Sequence, residues 1–244
     1  MPHFSQASFR VKQKQSMNKL SDFLANSSIM TIGGLNGLTV LVNMLTSFVL
    51  VRFLLKVDYG QLIYFYSSFG LLRLILNLGL GINITRDVGV NSTKPEALQT
   101  VIYSTIILRL ISIVVAISVI LVFVDIDKYP AFVYAIIAAV VATLADFVFA
   151  ILTGLRIVWQ VGIMTIIQPI VYLIFAIGLV GLGEATPELL MSAHILSFAV
   201  MFIAGIALVI STRKIVWPQS KYVKLEYIKK VFLFVFATYL ASVM

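Results

Sequence analysis

Cysteine is absent from the 244 residues, which excludes disulfides, thiolate metal sites and thiol nucleophiles. Histidine occurs only at His3 and His194. No HExxH, GxSxG or Walker loop is present, and no cluster of carboxylates stands with a histidine. The residues expected of a hydrolase, a redox enzyme or an ATP-driven pump domain are missing. The sequence therefore predicts a protein that is not an enzyme and carries no cofactor or metal. Charge is sparse too: 11% of residues are charged, against about 25% in a soluble domain. That excludes an ordinary water-soluble protein.

Apolar residues fill the gap. They make up 61% of the chain, and the mean hydropathy is +1.05. Six continuous apolar stretches reach the length of about 20 residues that a spanning helix needs. They run over about 28–51, 62–84, 98–124, 129–155, 161–182 and 189–210. Their continuity argues against a barrel, whose strands are short and alternate. The expected fold class is an all-α membrane protein, with six complete transmembrane helices forming one lobe and the start of a seventh. The expected division is a basic leader over 1–27, the six-helix lobe over 28–210, a basic linker over 211–230 and the opening of span 7 over 231–244.

The net charge of +8 is read as orientation, not nucleic-acid binding, because lysines and arginines of short loops set topology. With the N-terminus in the cytoplasm, the cytoplasmic side takes Arg10, Lys12, Lys14, Lys19, Arg86, Lys94 and Arg156. It also takes Arg213, Lys214, Lys221, Lys224, Lys229 and Lys230. The outer side takes only Arg52, Lys56 and Lys128, so the sequence predicts a cytoplasmic N-terminus. The stretch from Val231 to Met244 would rise only about 21 Å as a helix, short of a hydrocarbon core of about 30 Å. The expectation is that 244 residues form part of a longer protein.

Two basic residues are left over, Arg73 in span 2 and Arg109 in span 3, with Asp146 in span 4 at similar depth. A charge at the centre of a spanning helix costs about 2.5–3.5 kcal/mol even on the lenient insertion scale. A salt bridge from Asp146 to one arginine would lock the bundle, but one acid cannot neutralise both. The surplus cation suits an anion, such as a phosphate or carboxylate, in a wet cavity. Polar residues recur at helical spacing beside these charges. They are Asn36, Thr39, Asn43 and Thr46 in span 1; Tyr66, Gly70, Arg73, Asn77 and Gly81 in span 2; Thr105, Arg109 and Ser112 in span 3; and Thr143, Asp146 and Thr153 in span 4. Interhelical hydrogen bonding explains any one of them; four polar faces together favour a hydrated cavity. His194 reads as a packing histidine, and Pro169 as a kink in span 5.

The corner after span 1, with Arg52, Leu54, Tyr59 and Gly60, carries a family resemblance. So do Gly79 and Leu80 followed by Arg86, the LRLI around Arg109, and LTGLR from Leu152 to Arg156. The chain resembles the N-terminal half of bacterial polysaccharide (O-antigen) flippases of the Wzx type, in the multidrug/oligosaccharidyl-lipid/polysaccharide exporter superfamily. The resemblance implies translocation of an undecaprenyl-diphosphate-linked oligosaccharide across the bacterial inner membrane during surface polysaccharide biosynthesis. The implied partners are that lipid-linked substrate, membrane lipid and the polysaccharide assembly machinery. Arg73 and Arg109 would meet the diphosphate or an acidic sugar, Asp146 would orient one of them, and Asn36, Asn43 and Asn77 would meet the sugar. The competing readings are a cation-coupled drug or metabolite antiporter of the same superfamily and a non-functional truncated remnant. A membrane glycosyltransferase or polymerase is disfavoured, because the longest outer loop expected, 52–61, is short. A pure scaffold is disfavoured by the cost of the midplane arginines.

Overall fold

The computed structural model describes residues 33–77, 79–123, 130–212 and 222–233. The basic leader, the middle of the 211–230 linker and the end of the span 7 stretch lie outside the described residues, as do Tyr129 and Trp217. The described residues form eight helices and no strand: α1 (Gly33–Phe53), α2 (Lys56–Asn77), α3 (Leu80–Asn91), α4 (Pro95–Phe123), α5 (Pro130–Gly154), α6 (Val158–Leu182), α7 (Pro187–Ser211) and α8 (225–233). Five of these, α1 and α4 to α7, are long and apolar enough to cross a membrane. Counting α2 and α3 together as one bent span makes six. The chain is a multi-pass helical membrane protein.

Helix α5 is the centre, packed against α2, α3 and α7. Its sequence explains why. Ala135, Ala138, Ala139, Ala142 and Ala145 recur at helical spacing and are all buried. A face with no side chain beyond Cβ lets neighbouring backbones approach, which is how helices gain dispersion contact when lipid is the solvent. The approach is closest where glycine replaces alanine. A Cβ on Gly154 would stand 2.7 Å from the Thr85 carbonyl oxygen of α3, and one on Gly205 of α7 would meet Val148 at 2.7 Å and Met164 at 2.6 Å. On α2 the stripe Leu62, Phe65, Phe69, Leu72 and Leu76 is buried, while Leu71 and Leu74 remain exposed. Val114, Val115, Val119 and Val122 of α4 are exposed as well, as a lipid-facing helix requires.

Two connections differ from expectation. The outer loop expected over 52–61 shrinks to Leu54 and Leu55, because α2 starts at Lys56. Nothing in 52–61 stops a helix, and in a lipid setting helical bonding satisfies the backbone. Backbone bonds from Leu54 N–H to the Leu50 carbonyl and from Tyr59 N–H to the Leu55 carbonyl close the two helix ends on either side of the corner. The stretch expected as one straight span over 62–84 is instead broken into α2 and α3, bent by 45°. Gly79 at the break has φ 69°, a left-handed conformation that ends a helical ladder and that glycine adopts without a Cβ clash.

Other ends follow ordinary capping chemistry. Gly183, φ 73°, closes α6. Its N–H donates to the Val180 carbonyl and that of Glu184 donates to Leu179, a Schellman turn. Thr186 caps α7 by accepting from the Leu189 N–H at 3.4 Å, with Pro187 at the first helical position. After α5 the same Schellman pattern recurs, with Arg156 and Ile157 donating to Thr153 and Leu152. Here Arg156, φ 58°, stands where glycine is usual.

Candidate substrate cavity

Arg73 of α2 and Asp146 of α5 face each other because these two helices pack along their length. The guanidinium forks onto the carboxylate: Nε donates to Oδ2 at 2.9 Å and Nη2 to Oδ1 at 2.6 Å. The Arg73 guanidinium carbon also lies 5.9 Å from the Phe69 ring centre and 5.4 Å from that of Phe198, where ring faces favour a cation. The side chains remain 37% and 16% exposed, so the pair borders open space.

That space lies on both sides of it. A cavity of about 800 Å³ is lined by Arg73, Asp146, Asn77, Thr85, Arg86 and Thr153, with Phe69, Ile82 and Phe149 among its apolar walls. A second, of about 320 Å³, is lined by Asn36, Thr39 and Asn43 of α1, Thr165 and Gln168 of α6, and again Arg73 and Asp146. The ion pair is the shared wall. Helix α1 is held against α6 by the Thr39 hydroxyl, which donates to the Thr165 carbonyl at 3.3 Å. Gln168 donates to Ser197 at 3.1 Å.

The structure therefore brings together Arg73, Asp146, Asn36, Asn43 and Asn77. It places Arg109 elsewhere. Arg109 is 1% exposed and lines neither cavity. Its Nη1 donates to the carbonyls of Leu76 at 3.4 Å and Asn77 at 3.2 Å, and to Asn77 Oδ1 at 3.1 Å; Nη2 donates to the same Oδ1 at 3.2 Å. These carbonyls are the ones the α2 break leaves without helical donors, at the negative end of the α2 dipole. Arg109 is the cap of a broken helix. The surplus cation expected for a ligand is thus turned onto backbone oxygens, leaving Arg73 and Asp146 as a balanced pair. Asn77 thus accepts from Arg109 through Oδ1 and also lines the larger cavity.

Arg86 and Thr85 were not expected here. Arg86, expected only as a charge of the cytoplasmic side, lies in α3 and lines the larger cavity, its Nε donating to Asp87 Oδ1 at 3.0 Å. The signal in the sequence was the face Gly70, Arg73, Asn77 and Gly81, which continues into Thr85. Asp87 in turn accepts from the Tyr227 hydroxyl of α8 at 2.7 Å. Burial, then the hydrogen bond to Asp87, raises the Tyr227 pKa above the usual tyrosine range. The backbone N–H of Lys224 donates to Ser104 Oγ at 3.1 Å, and Tyr222 stacks on Tyr103. The segment ahead of α8 is thereby held against α4.

His194 is buried in a box of aromatic rings from Phe65, Tyr66, Phe69, Tyr172 and Phe198. Tyr66 and Tyr172 share a hydrogen bond beside it. Neither ring nitrogen of His194 has a partner among the described residues. The packing is the role expected for it, but the hydrogen-bonded ring expected with that role is not found among the described residues. Pro169 lies inside α6 and lines the smaller cavity.

Apolar helices around two cavities, with one ion pair at their shared wall, define a multi-pass membrane protein with internal space beside a charged pair. The chain belongs to the polysaccharide biosynthesis protein family, whose model matches residues 23–244. This agrees with the flippase-type resemblance seen in the corner after α1. Neither the curated proteins nor the solved structures gave a match.

Proposed function

We propose that the protein moves an undecaprenyl-diphosphate-linked oligosaccharide from the cytoplasmic to the outer face of the bacterial inner membrane, without catalysing a chemical step. The observation that carries this reading is the Arg73–Asp146 pair standing as the shared wall of two cavities in a chain of the polysaccharide biosynthesis family. A diphosphate offers paired anionic oxygens that arginine's planar donor fork suits, and it would compete with Asp146 for Arg73. Asp146 holds the guanidinium oriented while the cavity is empty and receives it back on release, so the cation is never left unpaired in low dielectric. The amide of Asn77 and Arg86 stand on the same wall for further phosphate oxygens. Asn36 and Asn43 offer hydrogen bonds to sugar hydroxyls in the smaller cavity, and the polyprenyl tail stays in lipid. In this reading the N-terminus is cytoplasmic, six spans form one exporter-type lobe, and the assembly machinery delivers and removes the substrate.

A cation-coupled antiporter needs an acid free to bind its ion. Asp146 already accepts from Arg73 through both oxygens, which favours the anion reading. The test is surface polysaccharide in cells carrying Arg73→Gln in the natural protein. Polysaccharide should be lost while protein level in the membrane holds. Normal polysaccharide would remove Arg73 from the site.

A further inference from the structure

A third cavity lies at the opposite end of the α2–α5 interface from Asn77 and Thr153. It holds about 450 Å³, inside the range of about 300–1,000 Å³ typical of small-molecule sites. The N-terminal ends of three helices converge on it: Gln61 and Tyr64 from α2, Tyr134 from α5, and Glu188 and Met191 from α7. Tyr64 and Tyr134 each present a flat apolar ring with a hydroxyl at its tip. Gln61 supplies both donors and acceptors, and Glu188 supplies acceptors. Among the described residues that line it there is no lysine or arginine. Aromatic faces with amide and carboxylate groups match the alternating C–H faces and hydroxyl rims of a pyranose. The acid, with no basic partner in the lining, disfavours a phosphate or an acidic sugar.

We infer that this cavity is a subsite for neutral sugar residues of the glycan, separate from the anion position at Arg73. Tyr64 precedes Arg73 by nine residues, a rise of about 14 Å. Tyr134 precedes Asp146 by twelve, about 18 Å. A glycan of a few sugars whose diphosphate lies at Arg73 is long enough to cover that separation with its distal sugars. The inference rests on the translocation reading for the identity of the glycan, but the chemistry of the subsite stands on its own lining.

The experiment is ligand-observed NMR on the natural protein in lipid nanodiscs, reading proton saturation transfer to neutral methyl pyranosides and disaccharides and phosphorus-31 line broadening of inorganic pyrophosphate. Wild type should transfer saturation to a neutral sugar. Tyr64→Ala and Tyr134→Ala should each weaken that binding about tenfold, near 1.4 kcal/mol, and leave pyrophosphate affinity unchanged. Gln61→Ala and Glu188→Gln, at exposed positions, should weaken it without disturbing folding, so a tyrosine variant that misfolds does not end the test. Arg73→Gln should do the reverse, losing pyrophosphate and keeping the sugar. No sugar binding by wild type, or sugar binding indifferent to all four substitutions, overturns the subsite. Sugar binding that depends on these residues, with no pyrophosphate binding at all, supports the subsite and overturns the diphosphate reading instead.

Discussion

Arg73 and Arg109 are the same residue at similar depth in neighbouring spans, yet they do opposite work. Arg73 faces a carboxylate at a cavity wall; Arg109 faces two carbonyls and an amide oxygen with 1% of its surface exposed. Removing Arg109 orphans acceptors that cost about 1–3 kcal/mol each when buried without a partner. Arg109→Ala should therefore lower stability by several kcal/mol, read as a fall in the thermal midpoint of the purified protein. Arg109→Lys should recover only part, because one ammonium cannot fork across the three oxygens. An unchanged midpoint in Arg109→Ala would remove its capping role. The sequence made both arginines legible as costly, and it placed Asn36, Asn43, Asn77 and Asp146 on polar faces. It could not show what each guanidinium meets. Periodicity gives depth and face, whereas the acceptors of Arg109 are backbone carbonyls exposed by a helix break.

That break belongs to the scale of elements. Hydropathy runs unbroken from α2 into α3, so a straight span was the natural expectation. Only Gly79 marks the end of one helix and the start of the next, and a lone glycine inside an apolar run has many uses. Helices α4 to α7 were legible to within a few residues of their ends because their apolar stretches are long and their caps are ordinary. The close crossing of α3 and α5 was not, since Gly154 reads as packing or flexibility alike until Thr85 is seen 2.7 Å from its would-be Cβ. Gly154→Ala should cost about 1–3 kcal/mol, as overpacked cores do. Arg156→Gly should act oppositely, raising stability by about 0.5–1 kcal/mol by relieving the left-handed conformation after α5. Thermal midpoints of the two variants, moving in opposite directions, check both.

For the whole molecule, the contact of α8 with α3 links the segment after α7 to the larger cavity, through Tyr227, Asp87 and Arg86. The Tyr227 pKa is raised in the fold, so docking favours the protonated phenol. Its contribution should be complete below the ordinary tyrosine value of about 10 and fade as pH rises toward the folded value. The absence of cysteine makes this measurable: spin labels at Lys94→Cys and Lys230→Cys should report one short distance at neutral pH and a broadened one at high pH. Tyr227→Phe should broaden it already at neutral pH. A distance unaltered by both pH and Tyr227→Phe would show that other contacts hold α8. The measurement closest to the central claim is the affinity of the purified natural protein for undecaprenyl diphosphate in wild type, Asp146→Asn and Arg73→Gln. If the anion competes with Asp146 for Arg73, Asp146→Asn should bind about tenfold tighter than wild type and Arg73→Gln at least tenfold weaker, shifts of about 1.4 kcal/mol. Equal affinity in all three proteins would contradict a diphosphate site at this ion pair.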